Sequence, residues 1–311
     1  MAAVGKKLNH FVSRFYLGAW ADGDYIFCLM RGKVFRPNLM GAASENYFYR
    51  LQELTDDDLR FLRRFIDDSP EPMREGHRQI VQIHMAPIVA KKVLEEEGGT
   101  QEQFNLAEKL IRDTNEDLHT AIEEKFNPFI TSMIQGDMSF LEAADTRARF
   151  YGGLCMQYAR TKFIRGTMAS MPRERFEQYM RISNLLVVLV ALNVGANMFG
   201  DAHNRTPYLL TYDSNVPFVT ADQPIINLAS NPKNTNTVER FELYYPLSPT
   251  RALLLLEPNS KFVPASLELT AEQARWFNLR IAANSYRQVY SNSKDELEAV
   301  NAELREFLQS L

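Results

Sequence analysis

Cysteine is almost missing: Cys28 and Cys155 are the only two in 311 residues. Neither belongs to a CxxC or Cys/His cluster, so no structural zinc motif is written here. Both sit in apolar surroundings (IFCLM and GGLCMQY), which reads as two buried thiols in a reducing cytosol. A run of about 20 apolar residues is lacking too. The greasiest stretch, LLVVLVAL at 185–192, is crowded by Arg181, Asn184 and Asn193 and reads as a buried helix. The opening MAAVGKKLNH carries two lysines with no apolar segment behind them, which speaks against a secretory signal. Also absent are a Gly-rich phosphate loop, a GxSxG elbow, an HExxH pair and a clustered carboxylate pair suited to two metals. A large charge excess is missing as well. The formal net charge of -4 excludes a surface that is all nucleic-acid footprint, while a local basic groove remains compatible with it. The expectation is a soluble, cytoplasmic protein with no organic cofactor motif and no membrane partner.

What is present is an ordinary globular balance, 45% hydrophobic and 24% charged, in a chain long enough to bury a substantial core. In residues 8–50, aromatic runs alternate with turn signals: Asp22-Gly23 between FYLGAW and YIFCLMRGKVF predicts strands joined by a tight turn, with Arg31-Gly32 breaking the second run. From Thr55 the period becomes helical. Thr55 caps a segment that Ser69-Pro70-Glu71-Pro72 stops, and further helices are predicted at about 73–97, 101–134, 139–168 and 172–199. Pro128 predicts a kink or break in the second of these. After Gly200 the period is two: PYLLTYD, VPFVTADQPIIN, ERFELYYPL and RALLLLEP read as strands, and the 231–237 stretch as a mobile loop. Two closing helices, about 269–284 and 294–310, flank a strand-like SYRQVYS. The fold class is therefore α+β. A large helical middle (about 55–200) separates a small N-terminal β element from a C-terminal, mainly antiparallel β region (about 206–258) followed by two helices. All of it is expected to form a single domain over 1–311, the sequence-distant β pieces meeting in space.

Three polar clusters stand out. In NHFVSRFYL (9–17), His10 and Arg14 share a side whether the segment is helix or strand. The bland alternative has Arg14 packing its stem on aromatics and His10 bonding a backbone carbonyl. In LCMQYARTKFIR (154–165), Gln157, Arg160, Thr161 and Ile164 fall together on a helix otherwise set for burial. A buried guanidinium needs partners, either internal carboxylates or an anionic ligand such as phosphate. In PFVTADQPIIN (217–227), Asp222 sits near a strand end before Pro224, which suits a catalytic carboxylate and equally a turn-initiating one. Outside these clusters, Arg112 to His119 (RDTNEDLH) matches the loose Arg-x(4–6)-His spacing of HEPN ribonucleases, with Asp113 after the arginine. Arg78 to His84 fits that spacing too, but with Gln79 as the follower. Among so many arginines such matches also arise by chance.

Taken together, NHFVSRFYL, QYARTKFIR, FVTADQP and YYPLSPTRALLLL resemble, in order, the His-[FY]-Val-Pro-x-[FY]-[FYL]-Leu, Gln-x-x-Arg-Thr-Pro, Thr-Ser-Asp-x-Pro and Pro-Leu-Ser-Pro stretches of the domain of unknown function 4238 family. The resemblance runs from about His10 to Ser291. Ser13, Lys162 and Ala221 depart from it, at positions that set backbone shape, whereas His10, Gln157, Arg160, Thr161 and Asp222 match. The resemblance implies a bacterial or fungal setting, and for some members single-gene anti-phage defence. It supplies no substrate.

Two classes of function follow. In the first the chain is an anti-phage defence effector, a nuclease or other phosphodiester-handling enzyme, with nucleic acid as substrate and a phage-encoded trigger as partner. His10 is then general acid or base, Arg14 and Arg160 clamp phosphate, and Asp222 orients His10 or holds a single divalent metal, with Gln157 and Thr161 in support. In the second the chain is a non-enzymatic sensor or interaction protein, and the same residues form a buried network tying the N-terminal segment to the helical core and C-terminal sheet. A HEPN-like ribonuclease using Arg112 and His119 is a third alternative. Oligomeric state is left open by the sequence.

Overall fold

The computed structural model describes residues 8–162, 164, 173–212, 215–230 and 240–310. Its architecture is α+β. Strand β1 (Leu8–His10) pairs antiparallel with β4 (Ser44–Asn46), placing His10 opposite Ser44. Between them lie helix α1 (Arg14–Leu17) and the hairpin of β2 (Phe27–Met30) with β3 (Lys33–Phe35). The hairpin turns at Arg31 and Gly32, both left-handed (φ 53° and 74°), which is the combination a two-residue hairpin turn requires.

The aromatic run FYLGAW is not the strand its composition predicts. It forms α1 and a 3-10 turn over Gly18–Trp20. A strand would send Tyr16 and Leu17 to opposite faces. The helical path buries Tyr16, Leu17 and Trp20 together. The Tyr16 hydroxyl donates to the Pro246 carbonyl (2.6 Å), and the Trp20 indole donates to the Phe218 carbonyl (2.7 Å). Tertiary hydrogen bonds and burial override local propensity here.

The helical middle comprises α2 (Asp56–Asp68), α3 (Glu71–Glu97), α4 (Gln101–Ile134), α5 (Ala144–Ala159) and α6 (Arg173–Gly200). Thr55 and Thr100 close reciprocal capping boxes with Asp58 and Gln103, satisfying orphan N–H groups at the starts of α2 and α4. No break occurs at Pro128: α4 runs through it, since one missing N–H forfeits a single helix bond that packing of Phe126, Phe129, Ile130 and Met133 outweighs. The predicted 139–168 helix begins later, after a 3-10 turn at Ser139–Leu141, and α5 ends at Ala159 with Arg160 as its C-cap; residues 165–168 of the prediction lie outside the described residues. The predicted 231–237 loop lies outside the described residues as well.

Helix α6 is, among the described residues, the one long and apolar enough to cross a membrane by length and composition, and 56% of its most apolar window is buried. Its polar groups are tied to the protein. Arg181 makes a two-pronged pair with Asp58 of α2 (2.8 and 3.1 Å), and Asn193 donates to Ser69 (2.9 Å). Where α6 crosses α5, Gly195 lies so close that a Cβ there would sit 3.0 Å from the Gly152 Cα. That packing is of a core helix.

The C-terminal part supplies β5 (Thr206–Tyr212), β6 (Thr220–Ala221), β7 (Ile226–Asn227), β8 (Leu243–Ser248), β9 (Arg251–Leu256), β10 (Glu268–Leu269), α7 (Ala271–Ala283), β11 (Gln288–Ser291) and α8 (Lys294–Ser310). Five strands form a sheet in the order β10-β5-β9-β8-β7, antiparallel except for β10 against β5. The remaining sheet, β3-β2-β11-β6, is built from both ends of the chain, as expected of the distant β pieces.

Candidate functional site

The His10 side chain leaves β1 toward α4. The residues of α4 that meet it, Glu116, His119, Thr120, Glu123, Glu124 and Asn127, recur at helical spacing and make one polar face. With His10, Ser13, Arg14 and Phe15 this face encloses a cavity of about 290 Å³. Nε2 of His10 lies 3.0 Å from the Met40 carbonyl oxygen. A carbonyl only accepts, so in the neutral ring Nε2 carries the proton and Nδ1 keeps the lone pair of a base. Burial, foremost, and the neighbouring Arg14 and Arg160 charges lower the His10 pKa against the opposing Met40 bond and Glu123. The ring is thus held neutral near pH 7. His119, buried, lies tilted against the buried ring of Tyr49 with centroids 4.2 Å apart.

Arg160 caps the C-terminus of α5 and is 1% exposed. Its guanidinium pairs with Glu123, so the carboxylate that lines the cavity also neutralises the buried charge. Burial works against that charge, but Glu123, ahead of Tyr49 and Glu116, raises the Arg160 pKa overall. Arg160 therefore stands behind the cavity wall, reaching His10 by its field and not as a cavity-lining clamp.

The other predicted site residues take different positions. Thr161 is buried and bonds Gln223, whose amide donates to the carbonyls of Ile225 (2.6 Å) and Tyr158 (3.3 Å), latching α5 to the β6–β7 segment. Gln157 is buried within α5. Asp222 accepts three backbone N–H groups, from Tyr286 and Arg287 (2.8 Å each) and Gln288 (3.0 Å). Its carboxylate orders the turn into β11 and does not orient His10, whose Nε2 faces Met40. Burial nevertheless pushes the Asp222 carboxyl up to about 6 against those donors. Arg112 bonds its neighbour Asp113 (3.1 Å) and is not among the residues lining the His119 cavity. His84 is buried on α3, and its burial lowers its pKa to about 4. The thiols of Cys28 and Cys155 are buried and pushed up to about 12, which leaves them unreactive. No group of three His, Cys, Asp or Glu side chains among the described residues is arranged to hold a metal ion.

The three motifs do meet. Lys162 places its ammonium 4.9 Å from the Phe11 ring centroid and pairs with Glu45, while Thr161 reaches Gln223 and Tyr16 reaches Thr220. Beyond that junction lies a second cavity of about 570 Å³, whose lining includes Glu45, Phe48, Lys162, Asn184, Tyr286 and Arg287. Neighbouring residues divide between the two hollows. His10 lines the first and Phe11 supports Lys162 of the second; Tyr49 backs His119 of the first and Phe48 lines the second. Sequence reasoning missed Glu116 and Glu123, which share the cavity lining with His10. The signal for them was the polar stripe Glu116-His119-Thr120-Glu123-Asn127, which lies on one side of a helix.

The profile of the family described as Protein of unknown function (DUF4238) matches residues 9–295. No curated protein and no solved structure matches the chain.

Proposed function

The chain belongs to the DUF4238 family, and from that premise we propose that it is an anti-phage defence effector whose chemistry is acid–base attack on a phosphodiester. The observation that carries this reading is the pairing of two imidazoles, His10 and His119, in the lining of one cavity. One neutral imidazole takes a proton from the attacking hydroxyl or water, and a second, protonated, gives one to the leaving oxygen. Arg14, which lines the same cavity, is the group to receive the phosphoryl charge. Glu116, Glu123 and Glu124 line the same wall and disfavour an extended polyanion along it. The substrate is therefore a single linkage presented at the cavity mouth, at a chain end or in a small molecule.

In the test, His10→Ala and His119→Gln are compared with wild type in a plaquing assay and in cleavage of single-stranded RNA, DNA and short oligonucleotides. Loss of protection and cleavage with a cooperative melt supports the reading. Protection equal to wild type by both variants overturns it.

A second reading, a non-enzymatic sensor, is favoured by a specific observation: Arg160, Thr161 and Asp222 each take an internal partner, Glu123, Gln223 and the 286–288 backbone. Under it, His10→Ala protects like wild type while variants at Arg160 and Asp222 lose protection together with the fold.

A further inference from the structure

The second cavity differs in kind from the first. Among the described residues its walls come from four separated parts of the chain: the segment from β4 to Gln52, the stretch after α5 that carries Lys162, α6, and the turn before β11 with Tyr286 and Arg287. At about 570 Å³ it falls inside the roughly 300–1,000 Å³ range of small-molecule sites. Among the described residues two cations face it, Lys162 and Arg287, against one carboxylate, Glu45. Each cation is positioned by an aromatic ring. The Lys162 ammonium lies 4.9 and 5.9 Å from the centroids of Phe11 and Phe48, and the Arg287 guanidinium lies 4.8 Å from that of Tyr286, donating to its hydroxyl at 3.2 Å. Glu45, half-exposed, takes one of the three donors of Lys162, which leaves capacity for an anion.

Two of the aromatic side chains of the same cavity are uncommonly open. Tyr47 is 41% exposed and Tyr286 40%, although both sit at a concave surface where large rings are ordinarily covered. Rings left at a cavity mouth beside guanidinium and ammonium groups match a ligand with a flat face and a negative charge. The Gln52 amide adds a donor and an acceptor for a ring edge. Asp222 contributes from beneath: its three backbone bonds fix the 286–288 turn and so the position of Tyr286 and Arg287.

We propose that this cavity is a binding site for a nucleoside monophosphate, its phosphate between Lys162 and Arg287 and its base against the Tyr47, Phe48 and Tyr286 rings. The site stands apart from the His10 cavity, and its occupancy is independent of whether that cavity is catalytic.

The test is titration calorimetry of the full chain with AMP, GMP, CMP and UMP, with adenosine and inorganic phosphate as fragments. The expected result is saturable binding of at least one monophosphate, at least tenfold tighter than either fragment. Arg287→Gln, on the exposed rim, weakens binding about tenfold and leaves the melt unchanged; Lys162→Met weakens it further. Because the readout is heat of binding, a failure of the phosphodiester reading does not move it. No binding of any monophosphate to the wild-type chain overturns the proposal. So does binding of adenosine as tight as AMP, or equal binding by a folded Arg287→Gln, Lys162→Met double variant.

Discussion

Arg160, sealed at the end of α5, is paired with Glu123 on the face of α4 that lines the His10 cavity. One carboxylate thus serves a buried cation on one side and a solvent-connected hollow on the other. Removing the cation strands that carboxylate, and removing the carboxylate strands a guanidinium that is 1% exposed. Breaking such a pair costs about 3–5 kcal/mol. Arg160→Ala is expected at the lower end, since Glu123 recovers some hydration, and Glu123→Ala at the upper. Urea unfolding monitored by circular dichroism measures both, and a midpoint unchanged by either removes the pair from the account of stability.

Asp222 gives a pH signature. Its folded pKa of about 6 lies above the ordinary value of 3.8, so the folded state holds the proton more tightly than the unfolded chain does. The stability this contributes is complete below about pH 4 and is lost as pH rises through about 6, roughly 3 kcal/mol in all. Asp222→Asn abolishes that slope. It also sets an amide N–H₂ against three N–H donors, destabilising the fold at every pH by about 1–3 kcal/mol for each donor left unpaired. Unfolding free energies at pH 4, 5, 6 and 7 for both proteins test the two effects separately.

The lowered pKa of His10 sets the acid limb of any activity in which it is the base. Burial and Arg14 both favour the neutral ring, so the inflection in kcat/KM falls below the unperturbed 6.5. Arg14→Gln removes a repelling charge and moves that inflection upward while weakening anion binding. A limb that stays in place in this variant separates His10 from the titrating base.

Helix crossing depends on Gly195. A methyl there meets the backbone of α5, 3.0 Å from the Gly152 Cα and 3.2 Å from the Tyr151 carbonyl oxygen, and neither can rotate aside. Gly195→Ala is expected to cost about 1–3 kcal/mol, typical of overpacking, although alanine is the better helix former. A rise in melting temperature for this variant refutes the close crossing.

Legibility in the sequence varied with the range of the determining interaction. The helices capped by Thr55 and Thr100 are readable because capping and apolar period are local, and so is the strand character of 206–256, whose order in the sheet is set by long-range pairing. FYLGAW misled because its rings are strand-like in isolation and become helical only against Pro246 and Phe218, some two hundred residues on. At the site, residue type correctly pointed to partners for Arg160, but their identity depended on which face α4 turns toward β1. His10 and His119 share a cavity, yet the spacing read for His119 joins it to Arg112, which lies outside, and the polar stripe of α4 that carries it was not read. For Asp222 the sequence allowed a turn or a catalytic carboxylate, and three N–H donors claim it for the turn.

The sheet β3-β2-β11-β6 carries a consequence for biogenesis. Strand β2 at residues 27–30 has no permanent neighbour on one edge until β11, residues 288–291, has emerged from the ribosome. For most of translation that hairpin edge is an open template for wrong pairing. A chain stalled or cleaved before residue 288 cannot close this layer, so the amino-terminal segment, whose Ala43 N–H donates to the Tyr290 hydroxyl, lacks that support until translation has passed that point.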